Sequence, residues 1–136
     1  MSIPLLCLLG FAMWAVVLVS AIGAVRVTQV MTRTVPPNGF PSGQPHGAPA
    51  YWRLNRAHMN TLENLPIFGA VVVVGVLSNV QAPMFSTLAQ LVLAARVAQS
   101  ILHVSSGSNM VVNARFTAFL TQIVCMAWMA WLIVSG

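Results

Sequence analysis

The chain has no lysine and no aspartate, and Glu63 is its only acidic side chain beside six arginines. Charged residues make up 5% of the 136 positions, against about 25% in an average soluble domain. That scarcity excludes a water-exposed globular surface. Cys7 and Cys125 each lie inside an apolar stretch with no second Cys or His at ligand spacing, so no metal site is expected and both read as small buried hydrophobes. The formal charge of +5 does not indicate nucleic acid, because phosphate-gripping patches sit on solvated surfaces and these arginines are dispersed at the edges of apolar helices.

What is present is hydrophobic sequence, 58% of the chain. Ile3 to Val25 is uncharged throughout, and a helix rising about 1.5 Å per residue needs roughly 20 residues to cross the hydrocarbon core. Ser20, Ala21 and Ala24 could mimic a signal-peptide cleavage site. No Lys or Arg precedes Ile3, however, and the run exceeds the roughly 7–15 apolar residues of a secretory signal, so retention as a span is expected.

Hydropathy predicts four spans within a single domain over 1–136, at about 3–31, 51–78, 83–104 and 110–134. Between the first two, residues 35–49 hold five prolines and three glycines and cannot form a regular helix. The links 79–83 and 105–109 are short, which forces antiparallel neighbours. The expected fold is all-α, an up-down-up-down four-helix membrane bundle. Arg26, Arg33, Arg53 and Arg56 flank the first loop, Arg96 and Arg115 flank the third link, and the second link is uncharged. The positive-inside rule then sets the first loop in the cytoplasm and both termini outside. Tyr51 and Trp52 near one interface, with Trp128 and Trp131 near the other, match aromatic belts.

The second span opens with a polar stripe. At 100° per residue, Arg53, Arg56, Asn60, Glu63 and Asn64 fall within an arc of about 100°. A charge at the bilayer centre costs about 2.5–3.5 kcal/mol on insertion scales, so Glu63 is expected to face protein. Pro66 deprives the Leu62 carbonyl of its usual donor beside that glutamate. In the third span Arg96, Gln99 and His103 share one face, and Arg115 sits early in the fourth. Arg33 and Arg53 read as interfacial anchors that snorkel to headgroups, and His58 as structural. Glu63 could pair with an arginine of another helix and lock the bundle. One glutamate neutralises one arginine, though, and the remaining guanidiniums call for an anionic guest with two carboxylates or phosphates, which their forks grip bidentately.

The stretch Arg53-Leu-Asn-Arg56-Ala-His58-Met-Asn60-Thr-Leu-Glu63-Asn-Leu-Pro66-Ile-Phe68 resembles the signature of the MAPEG family, the membrane-associated proteins in eicosanoid and glutathione metabolism. Gly23-Ala-Val-Arg26, Ala95-Arg96-Val-Ala and Asn113-Ala-Arg115 extend the resemblance along essentially the whole chain. It implies a homotrimer of four-helix subunits that bind glutathione between neighbours near the cytosolic side. It also carries the family's glutathione-binding positions onto Arg26, Arg56, Asn60, Glu63, Arg96, Gln99, His103 and Arg115. Arginines would take the two carboxylates, Glu63 and Asn60 the ammonium and backbone amides, and Arg115 would stabilise the thiolate.

Three positions depart from the prostaglandin-synthase branch: Met59 and His103 stand where it has an arginine and a tyrosine, and Phe119 where it has another tyrosine. The prostaglandin reaction is therefore not expected. The implied activity is a glutathione transferase or peroxidase acting on lipophilic electrophiles, with glutathione as co-substrate and the bilayer as partner. Two alternatives stay open, a non-catalytic lipid-binding member and a small proton-coupled multidrug exporter. The exporter fits less well, because arginines on the glutamate's own face oppose the raised pKa that proton coupling needs. The lack of lysine and the abundance of Ala and Val favour a bacterial inner membrane.

Overall fold

A computed structural model describes residues 1–136 as four helices: α1 (Ile3–Met31), α2 (Pro49–Leu77), α3 (Pro83–Ser105) and α4 (Asn109–Ser135). All four are long and apolar enough to cross a bilayer, and the protein is an integral multi-pass membrane protein. Helix starts follow local chemistry. The first three carry proline in their opening turn, where the missing amide would have had no partner in any case. α2 continues through Pro66 without interruption.

Two helix ends close in the same way. Arg33 and Asn79 adopt φ +57° and +54°. In each case the following amide reaches back to a last-turn carbonyl: Thr34 N to Gln29 O at 3.0 Å, and Val80 N to Gly75 O at 3.1 Å. These are Schellman closures, which satisfy carbonyls that neither lipid nor a further helical turn would serve.

The buried residues repeat at intervals of three and four. On α1 they include Cys7, Phe11, Ala15, Leu18 and Ile22, and on α2 Ala57, Thr61, Asn64, Phe68, Val72 and Gly75. These stripes meet in a bundle in which α2 and α3 both contact each other and both outer helices, while α1 and α4 do not touch. The core divides along the membrane normal. Cys7, Phe11, Phe68, Val72, Phe85, Leu88, Ala89, Val92, Cys125, Met126 and Met129 form an apolar cluster in the half remote from the long loop. Thr61, Asn64, Arg96, Gln99, Ser100 and Gln122 are the buried polar groups, and they occupy the middle and the loop-side half. Thr61 and Ser100 satisfy their hydroxyls on the carbonyls of Ala57 and Arg96.

Residues 32–48 fold back over the ends of α1 and α2. Phe40 covers the Arg26 guanidinium at 5.2 Å, and His46 packs edge-on against Tyr51 at 5.3 Å. Tyr51 is therefore buried, with its hydroxyl accepting from Arg26 Nε at 2.8 Å, and is not a belt residue. Trp128 and Trp131 are exposed on the outer surface of the bundle. Arg53 also departs from the snorkelling expectation, because its Nε donates to the Val104 carbonyl at 3.2 Å and closes the end of α3. Arg53→Ala is expected to cost about 0.5–1.5 kcal/mol of stability, the net worth of a hydrogen bond, and to speed amide exchange in the last turn of α3. Unchanged exchange there would remove the capping role.

Candidate functional site

Three helices build one open cavity of about 260 Å³ in the loop-side half. α2 contributes Asn60, Glu63 and Asn64, α3 contributes Gln99 and His103, and α4 contributes Val112, Arg115, Phe116 and Phe119. The convergence follows from helix geometry. Asn60 and Glu63 are three apart on α2 and Gln99 and His103 four apart on α3, so each pair lies on one face. Glu63 lies 14 residues along α2, about 21 Å from its start at the helical rise. Arg115 lies six residues into α4, which runs in the same direction from the same side.

Five of the eight expected positions therefore share this cavity: Asn60, Glu63, Gln99, His103 and Arg115. The other three do not line it. Arg26 lines a second cavity of about 400 Å³ with Val27, Val30, Met31, Pro37, Asn38 and Phe40, where Tyr51 and Phe40 hold its side chain. Arg56 is exposed, one helical turn from Asn60 on the same face of α2. Arg96 is swallowed by the bundle, 1% exposed, with its Cζ 5.5 Å from the Phe11 ring centre. The ring face offsets part of the cost of burying that charge. Arg96 Nε and Nη2 nonetheless have no hydrogen-bond partner.

Glu63 does not lock the bundle. No arginine nitrogen of the chain lies within 4.0 Å of its carboxylate, and the side chain is exposed where the cavity opens. An ionised carboxylate this deep along a spanning helix is costly against lipid. The cavity is also smaller than the roughly 300–1,000 Å³ of ordinary small-molecule sites. The lining is thus a carboxylate, an arginine, a histidine and three amides on the polar side, with Val112, Phe116 and Phe119 on the apolar side. Such a lining can hydrogen-bond a zwitterionic or anionic guest while an apolar molecule lies against the phenyl rings.

Several of these residues were not singled out by the sequence. Val112 and Phe116 join because α4 turns the face bearing Arg115 toward the cavity. Gln122 is fully buried and donates its amide to Gln99 Oε1 at 2.9 Å. A signal for it exists, since it lies seven residues after Arg115 and so on the same face of the helix.

The family model described as the MAPEG family matches residues 4–135, nearly the full chain. No match was found to a curated protein or to a solved structure.

Proposed function

The chain belongs to the MAPEG family, and from that premise we propose that it is a membrane-bound, glutathione-dependent transferase or peroxidase acting on lipophilic electrophiles. The observation that carries the reading is the convergence of Asn60, Glu63, Gln99, His103 and Arg115 from three helices on one cavity beside an apolar wall. The polar groups complement a tripeptide with two carboxylates, an ammonium and a thiol. Glu63 would take the ammonium, Asn60 and Gln99 the peptide amides and carboxylate oxygens, and Arg115 the sulfur.

A guanidinium beside the sulfur favours thiolate over thiol by direct charge attraction. In conjugation the thiolate attacks an electrophilic carbon of a molecule dissolved in the bilayer. A carbon–sulfur bond forms, the leaving group departs with its electron pair, and the thiol proton passes to water. Phe116 and Phe119 would hold the apolar reactant.

The reading includes a homotrimer in which a neighbouring subunit closes the open side of the cavity. The exposure of Glu63 and Arg56 supports it, since both would otherwise confront lipid. It also includes an orientation with the long loop cytoplasmic and both termini outside, in a bacterial inner membrane. All six arginines lie toward the loop side and none toward the other. On this view Arg56 meets ligand only in the assembled protein. Arg56→Ala should weaken glutathione binding about tenfold or more, the worth of a charge-assisted hydrogen bond. An unaltered calorimetric isotherm would remove Arg56 from the site.

A non-catalytic, lipid-binding protein is the second reading. It is favoured by one observation: Phe119 lines the cavity and no hydroxyl-bearing side chain does. A thiolate absorbance titration with glutathione on the purified protein separates the two. The enzymatic reading requires a thiolate signal near neutral pH, and its absence would leave the lipid-binding one.

A further inference from the structure

Among the polar side chains lining the cavity, Gln99 is held by a partner that lies behind the wall. Gln122 of α4, 0% exposed and outside the cavity, donates from Nε2 to Gln99 Oε1 at 2.9 Å and to the carbonyl of Ala118, also at 2.9 Å. The second bond settles the direction of the first. A backbone carbonyl only accepts, so the Ala118 oxygen holds the Gln122 amide with its nitrogen forward. Both hydrogens of that nitrogen are then used, and Gln99 must meet Gln122 with its oxygen. The NH2 group of Gln99, which carries two donors and no acceptor, is left to the cavity that Gln99 lines.

We propose that Gln122 is a positioning residue that fixes Gln99 as a hydrogen-bond donor into the cavity, selecting a guest that presents a carboxylate or peptide-carbonyl oxygen there. The proposal rests on the glutathione reading above and adds to it the group that sets one wall's polarity. Unconstrained, a glutamine amide offers either a donor or an acceptor and selects nothing. The pair is also not arranged for stability alone, since Gln122 Oε1 is buried without a partner. Replacing Gln122 with an apolar residue of similar length removes that orphaned oxygen and leaves Gln99 able to hydrogen-bond within the cavity. Such variants should therefore fold.

The test is a double-mutant cycle read by calorimetric titration of glutathione into the purified protein in detergent, with thermal unfolding measured in parallel. Gln122→Leu should weaken binding about tenfold, as one lost hydrogen bond to a charged group would. Gln99→Leu should weaken it by at least as much, and the double variant should bind no worse than Gln99→Leu alone, because Gln122 acts only through Gln99. Gln122→Met serves as the second variant. Wild-type affinity in Gln122→Leu, or losses that simply add in the double variant, would overturn the inference and leave the glutathione reading standing. Failure of both Gln122 variants to fold would assign the residue to the fold and overturn it as well. No glutathione binding by the wild-type protein would remove the reading and the inference together.

Discussion

Arg115→Ala is expected to lower glutathione-dependent turnover by about 10²–10³-fold, the typical loss when one preorganised charge-stabilising donor is removed from a reacting centre. Arg115 lines the cavity near the start of α4, together with Phe116 and Phe119 of the same helix and Glu63 of α2. The expected loss is in kcat, since the sulfur's negative charge matters to reactivity more than to the binding of the carboxylates. Thermal stability should barely move, because Arg115 makes no side-chain hydrogen bond within the chain and is not among its fully buried groups. Arg115→Lys should fall between, retaining a charge but losing the planar fork. Conjugation assays with hydrophobic acceptors, paired with the thiolate titration, check both variants. Turnover equal to wild type in Arg115→Ala would reject it as the thiolate stabiliser.

At the other end of the bundle, Gly75→Val should strongly destabilise the fold. Gly75 is buried on α2, and a Cβ placed there would overlap the ring of Phe85 on α3. In a bilayer, helices do not gain from escaping water when they meet, so close approach through small residues supplies much of their association. Overpacking costs about 1–3 kcal/mol for added methylenes in a core, and more where a rigid ring is the obstacle. That is a large share of the roughly 5–15 kcal/mol of a typical protein. Gly75→Ala should show the same loss in smaller measure, and Phe85→Leu in the same chain should recover part of it. Unfolding followed by circular dichroism in detergent reads the effect. The contact lies in the half remote from the long loop, so glutathione affinity of the folded fraction should stay unchanged. A Gly75→Val protein as stable as wild type would mean that α2 and α3 do not approach here as described.

The four spanning helices could be read from the residues alone, because the bilayer imposes its demand locally: roughly 20 consecutive apolar residues, whatever the neighbours do. The same holds for the polar faces of α2 and α3, where the i, i+3 and i+4 spacing of Asn60, Glu63 and Asn64, and of Gln99 and His103, is a property of one helix. Family membership was legible too, in the run from Arg53 to Phe68.

Which polar groups meet was legible only in part, since five of the eight expected positions share the cavity and three do not. Arg26, Arg96 and Arg115 all look like cations near the loop-side ends of spans. The folded chain gives them three different settings: Arg26 between Tyr51 and Phe40, Arg96 buried on Phe11, and Arg115 open to the cavity. The pairing of Glu63 with an arginine, plausible from charge, is absent because no guanidinium comes within reach of its carboxylate. Gln122 shares a helix face with Arg115 in the sequence, but its bond to Gln99 appears only in the fold. The physical reason is that periodicity sets which residues share a face, but not how far each helix is rotated about its axis or which neighbour that face meets. Those angles come from packing, with α2 and α3 touching both outer helices while α1 and α4 stay apart. They depend on contacts between residues far apart along the chain, and no local pattern encodes them.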